Sequence, residues 1–138
     1  MSRIMKRSLK LANKKIAFVG SVTQDNAPNI KAMLVAKHDG LKTFYFASNT
    51  SAKRTEQFKQ NNKACIYFAG GPFYSGLMLE GTIEIINDRE TKVLIWNNSY
   101  KGAYKNGGID DPDFCVLKFT ARTGRYYFWY RTESFDIE

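Results

Sequence analysis

Residues 31–69 read KAMLVAKHDGLKTFYFASNTSAKRTEQFKQNNKACIYFA, and the fold turns on this stretch. Lys31 to Lys37 is apolar between its two lysines and reads as a strand. His38-Asp39-Gly40 carries the Asp-Gly signal of a tight hairpin, which makes Thr43 to Ala47 (TFYFA) the paired strand. Then the period changes. Ser48, Asn49, Thr50 and Ser51 are N-cap residue types in succession, and Ala52 to Gln60 reads as a short helix with Phe58 on its inner side. Asn61-Asn62 ends the helix, Ala64 to Ala69 is another strand, and Gly70-Gly71-Pro72 breaks it.

The same reading extends outward. Ile16 to Val22 is a strand, followed by a turn over Gln24–Pro28. Tyr74 to Ile86 is a long strand, with Gly76 and Gly81 as bend or bulge points. Arg89 to Asn97 suits a helix with Val93 and Trp96 on one side. Residues 98–113 are loop-like, with Tyr100 and Tyr104 embedded. Phe114 to Ala121 and Arg125 to Tyr130 read as a last hairpin across Thr123-Gly124. Seven strands and two or three short helices imply a mostly β chain, a closed or partly closed antiparallel barrel. No repeat or linker breaks the chain, so residues 1–138 are expected to form a single domain.

Composition narrows the function. Hydrophobic residues make up 43% and charged residues 25%, which excludes a disordered polymer or a low-complexity array. Lys and Arg outnumber Asp and Glu by 21 to 13, and a net charge of +8 favours anionic partners. Residues 1–15 carry Arg3, Lys6, Arg7, Lys10, Lys14 and Lys15 and no acid. They read as a first helix lying on the body of the domain with its basic face in water. A membrane-surface helix and a basic presequence are the alternatives. No apolar run approaches the roughly 18 residues of a membrane span. No segment demands export, so the expected location is cytoplasmic. Cys65 and Cys115 both fall in apolar strands and read as buried thiols in a reducing compartment. His38 is the only histidine, so a Cys/His zinc site cannot reach its usual four ligands within the chain, a Ser-His-Asp or Cys-His mechanism would have to pass through His38, near which nothing supports it, and no metal site is expected.

Chemistry concentrates where the third strand feeds the helix. A helix start offers unpaired N–H groups and a positive dipole end; Ser51 adds a hydroxyl, and Lys53 and Arg54 add full charges. A phosphate monoester is well served there. Read locally, the pattern is equally that of a hydroxyl cap followed by a solvated lysine.

Three segments together, PNIKAMLVAKHDG, FYFASNTSAKRTEQFKQNNKACIYF and LEGTIEIINDRETKVLIW, resemble the pyridoxamine 5′-phosphate oxidase-like group of FMN-binding split barrels, in its small general-stress-protein branch. The order of strand, Asp-Gly turn, strand, Ser-x-Lys helix and strand after an Asn-Asn stop is that family's order. The resemblance covers roughly residues 14–130. It implies a split barrel of six to seven antiparallel strands, Greek-key-like, with short flanking helices. It also implies a homodimer with FMN at the interface. By the same resemblance Lys31 stands where the family has Arg beside the flavin, and Ala32 and Met33 line the ring with backbone groups. Phe46 and Ala47 stand at the family's aromatic-Thr pair, Ser51 and Lys53 at its phosphate-binding Ser-x-Lys, and Trp96 at a Trp that packs near the partner's flavin.

The departures carry information. Lys31 turns a bidentate fork into a point charge. Ala36 stands where the vitamin-forming oxidase has a substrate-phosphate Lys, Ala52 where it has a second basic residue, and the C-terminal Arg-x-His element is missing. These changes argue against pyridoxamine phosphate as substrate. The expectation is an FMN flavoprotein acting on another small molecule, with the flavin carrying the redox step, no catalytic side chain, and Tyr100, Tyr104 and Trp96 walling the substrate side. One alternative is a non-catalytic flavin or haem module, with His38 as haem ligand. Another is a small basic barrel binding nucleic acid through stacking and phosphate contacts, against which stand the confinement of much of the charge to residues 1–15 and the aromatics' place inside apolar strands.

Overall fold

The computed structural model describes residues 2–138. Eight antiparallel strands are present: β1 (Ile16–Val22), β2 (Pro28–Leu34), β3 (Lys37–Asp39), β4 (Thr43–Asn49), β5 (Lys63–Ala69), β6 (Gly76–Ile86), β7 (Phe114–Phe128) and β8 (Arg131–Asp136). Three helices accompany them: α1 (Arg3–Ala12), α2 (Lys53–Gln60) and α3 (Arg89–Ile95). The strands form one curled sheet in the order β2-β1-β5-β6-β7-β4-β3, with β8 added beside β7. This is a split barrel, and its two rims, β2 and β3, are consecutive in the chain.

That arrangement corrects the reading of Lys31–Lys37 as one strand. The segment divides. Its first half pairs with β1, Ile16 opposite Leu34 and Val19 opposite Lys31. Its second half crosses the gap and pairs with β4, His38 opposite Phe44. The Val35 N–H donates to the Lys15 carbonyl at 2.8 Å and the Ala36 N–H to the Tyr45 carbonyl at 2.8 Å, so adjacent residues bond to the β1 side and the β4 side of the gap. The Asp-Gly hairpin exists, with Gly40 at φ 55°, but its first arm is only the three residues of β3.

The last hairpin is corrected too. Thr123-Gly124 is not a turn; both residues sit within β7, opposite Glu80 and Leu79. Gly124 lies flat beneath the Phe135 ring, where any side chain would collide. The reversal comes later, at Trp129-Tyr130, and sends β8 back along β7. Gly81 does mark an irregularity: the β6–β7 register slips between Glu80 and Gly81, and a β-carbon there would meet the Thr120 carbonyl. Tyr74 lies outside β6, in a 3-10 turn at Pro72–Tyr74.

Alternation builds the core. Ala17 and Val19 of β1, Met33 of β2, Phe44 and Phe46 of β4, Ile66 and Phe68 of β5 and Phe119 of β7 all point into the barrel and are buried. Truncating one such phenylalanine costs about 3–5 kcal/mol. α1 closes one end of the barrel. Its Ser8, Leu11 and Ala12 are buried at helical spacing while Arg3, Lys6 and Lys10 stay in water. A second, smaller cluster lies on the outer face of β4 and β7, where Ile95, Tyr104, Phe114 and Val116 are buried under α3 and residues 98–113. α3 buries Ile95, not Val93, which is exposed together with Leu94. No described helix is long and apolar enough to cross a membrane.

Candidate functional site

Between β4 and α2 the chain runs through Thr50, Ser51 and Ala52, and the hydroxyl-rich stretch does not cap the helix as its sequence implies. The N-cap is Ala52, which offers no side-chain acceptor. The polar side chains beside it are engaged elsewhere. Thr50 Oγ1 donates to the Pro112 carbonyl at 3.2 Å, and Asn49 Nδ2 donates to Asp113 Oδ2 at 2.8 Å. Ser48 Oγ lies 3.4 Å from Thr55 Oγ1, and Thr55 Oγ1 in turn donates to the Asn49 carbonyl at 2.7 Å. Asp113 also accepts from the Ser51 N–H at 2.8 Å. The Asn49 amide and then Ser51 hold the Asp113 carboxyl below the usual carboxylate range. Asp113 is the anchor of the loop, a role marked in the sequence only by the Asp-Asp-Pro-Asp run just before β7.

What remains at the helix start is a set of donors. The Ser51 hydroxyl and the Lys53 ammonium lie on exposed residues at its mouth. The N–H groups of Lys53 and Arg54 precede the first intrahelical bonds, which Thr55 and Glu56 make to the Ala52 carbonyl. Arg54 reaches back so that Nη2 donates to Ser48 Oγ at 3.4 Å, while its Nε is buried without a hydrogen-bond partner. A buried guanidinium N–H left unpaired is costly unless an acceptor arrives from outside. Free amides, an ammonium and an orphaned guanidinium N–H fit a phosphate group.

The other expected site residues fall in three places. Ala47 and Trp96 come together in the outer cluster, where Trp96 packs edge-on against Tyr100 at 5.6 Å and Phe114 at 5.4 Å. Phe46 and Met33 are buried in the main core, so their side chains hold the barrel together and only their backbone is left to line a ligand. Lys31 and Ala32 are exposed on β2; Lys31 shares the inward side with Met33, and Ala32 lies on the outer side opposite Phe18. Tyr104 links the outer cluster to the α2 loop by donating to the Ser48 carbonyl at 2.8 Å, and burial pushes its hydroxyl up to about 12.

His38 does not present a free nitrogen. Nδ1 is 2.8 Å from the Gly40 carbonyl, Nε2 is 2.9 Å from Asn13 Oδ1, and the ring stacks on Phe44 at 5.1 Å. Burial raises both thiols, Cys65 and Cys115, and both are unpaired. Among the described residues no group of three or more His, Cys, Asp or Glu side chains is placed to hold a metal ion.

With this geometry in view, relationships to known proteins can be read. The profile of proteins described as pyridoxamine 5′-phosphate oxidase like matches residues 4–135. The chain belongs to this family. A Clostridium acetobutylicum protein related to the Bacillus subtilis general stress protein 26, of the pyridoxinephosphate oxidase family, is 43% identical over 98% of this chain and 95% of its own, with a TM-score of 0.87. General stress protein 26 of Bacillus anthracis str. Sterne shares the fold at 18% identity, covering 99% of this chain and 100% of its own with a TM-score of 0.81. A heme binding protein from Mycobacterium smegmatis shares the fold at 16% identity and a TM-score of 0.73, over 96% of this chain and 56% of its own. No curated protein matches the chain. Within the pyridoxamine 5′-phosphate oxidase-like family, then, the uncapped α2 start is the feature that asks for a chemical explanation.

Proposed function

We propose that this chain is an FMN-binding oxidoreductase that acts, as a homodimer, on a small molecule other than pyridoxamine phosphate. The observation that carries the reading is the α2 start, uncapped by any side chain, with Arg54 in its first turn holding a buried Nε that has no hydrogen-bond partner. The amides of Lys53 and Arg54 and the Lys53 ammonium would hold the phosphate, and the Ser51 hydroxyl would donate to it. Bound there, FMN supplies hydride transfer, which the side chains of this chain cannot perform. Lys31, as a point charge on β2, would favour negative charge on the ring if it lies beside it, as the resemblance implies. Trp96 and Tyr100, packed against the outer cluster, would wall the substrate side and exclude water there.

The dimer has its own support. Ile16, Phe18, Ile30 and Leu34 lie side by side on the outer face of β1 and β2 and are all exposed, Ile30 at 69%. A contiguous apolar face of this kind fits a second copy of the chain. Ala36, where the vitamin-forming oxidase has a substrate-phosphate Lys, supports a substrate other than pyridoxamine phosphate. A haem reading is less well supported, because both ring nitrogens of the sole histidine are already engaged.

Titrating the purified protein with FMN tests the proposal. The expected outcome is quenching of flavin fluorescence, a structured flavin absorption band and a dimer in sedimentation, with riboflavin binding far more weakly for want of its phosphate. Unquenched emission from FMN with the protein in excess would overturn it.

A further inference from the structure

The α1 end of the barrel carries a surface that the flavin reading does not use. Two turns meet there, Pro72–Tyr74 between β5 and β6, and Trp129-Tyr130 between β7 and β8. The Trp129 N–H donates to the Phe73 carbonyl at 2.7 Å and binds the turns together. Four large rings stand out from them, with Phe73 exposed at 54%, Tyr74 at 85%, Trp129 at 52% and Tyr130 at 82%. Phe73, Tyr74 and Trp129 have φ of 57°, 57° and 58°, a left-handed conformation that bulky side chains rarely adopt. Strained backbone that pushes aromatic rings into water is a mark of a working surface rather than of folding.

Charge surrounds this tip. Phe128 lies at the junction of three cavities. One, of about 310 Å³, is bordered by Arg3, Arg7 and Arg131. The next, of about 570 Å³, is bordered by Arg7, Lys10 and Lys14. The third, of about 300 Å³, opens between Phe73, Trp129 and Tyr130. Glu133 is the one acid among the residues bordering them. The ion pairs among the described residues, Lys59 with Glu56 and Arg89 with Asp110, lie elsewhere. The Arg7 guanidinium sits over the Phe128 ring at 5.7 Å, joining the basic and aromatic parts into one surface.

We propose that this end of the barrel docks on an anionic lipid bilayer. The rings of Phe73, Tyr74, Trp129 and Tyr130 enter the headgroup region, where aromatic side chains with polar atoms are most favourably placed. The cations of α1 and Arg131 face the anionic headgroups. α1 itself stays on the protein, because its apolar side is committed to the core. Single-stranded nucleic acid would meet the same charge, but base stacking needs open ring faces. Phe73 meets Trp129 edge to face at 4.9 Å and 67°, and Phe128 at 5.7 Å and 66°, which occupies the faces between these three rings and leaves only Tyr74 and Tyr130 open for stacking. Insertion into a lipid interface makes no such demand.

Flotation of the full chain with phosphatidylcholine vesicles, with and without about 30% phosphatidylserine, tests this. Binding is expected only to the anionic vesicles and is lost in high salt. Brominated acyl chains should quench the emission of the parent protein but not of Trp129→Phe. Arg3→Gln together with Arg131→Gln, both exposed positions, should weaken binding about 25-fold, at about fivefold per cation. Tyr130→Ser, which removes an almost fully exposed ring, should weaken it about tenfold. The proposal is overturned by any of three results: no binding at physiological salt, unchanged binding in both variants, or an oligouridine bound where anionic vesicles are not. Conversion of a dimer to a monomer by Tyr130→Ser would also overturn it, since the tip would then belong to a contact between copies.

Discussion

Two helix starts in this chain are finished differently. At α3 the Asp88 carboxylate accepts from the Thr91 N–H at 2.8 Å, and that bond, first among several causes, holds the Asp88 carboxyl below its ordinary value. At α2 the cap position is Ala52, and the acceptors that sequence offers nearby are tied to Pro112, Asp113 and one another. α1, too, is capped by a side chain, Ser2 accepting from Met5 at 3.2 Å. The difference teaches that a helix end is left open here by construction. The side chains of Ser48, Asn49 and Thr50, which precede α2, are drawn into the loop's own hydrogen bonds instead of closing it.

The comparison breaks most sharply at Ala52→Asp. A carboxylate there should close α2 as Asp88 closes α3, stabilising the fold by about 1 kcal/mol. It should also cost FMN several kcal/mol by setting like charges together. Thermal melts and flavin titration read the two effects on the same sample. Lys53→Ala should weaken FMN by about 1.5–3 kcal/mol, the range of a charged hydrogen bond, with little change in melting temperature. Asp88→Ala gives the mirror result, a loss of about 1 kcal/mol in stability with flavin affinity unchanged. A further effect, confined to alkaline pH, concerns the link from the α2 loop to the outer cluster. With the Tyr104 hydroxyl pushed from 10.0 to about 12 in the folded chain, the folded state holds that proton more tightly than the unfolded one. Stability should therefore fall as pH rises from about 10 toward 12, and the slope should flatten in Tyr104→Phe when denaturant midpoints are followed with pH.

Most of the barrel was legible in the sequence because alternation survives wherever one strand face is buried. The Asp-Gly turn, the α2 segment and the Gly81 irregularity were all readable for local reasons. Two features were not. Lys31–Lys37 reads as one strand because nothing in its apolar run marks where it leaves one rim for the other; only pairing to β1 and β4 reveals the break. Thr123-Gly124 carries turn residues, but its glycine answers to the Phe135 ring above it, a partner 11 positions away that local pattern does not register. The site divides in the same way. Ser51, Lys53 and Trp96 stand out by residue type, whereas Asp113 works through tertiary hydrogen bonds from beyond a loop.

The crossing at Val35–Ala36 has a mechanical consequence. Two successive peptide units rivet two rows of backbone groups, with their donors turned to either side. Slackening it, for instance by inserting two glycines, would let the seam gape and leave raw strand margins able to recruit strands from neighbouring molecules. Such a variant should come out of solution as aggregate before its chemistry could be assayed.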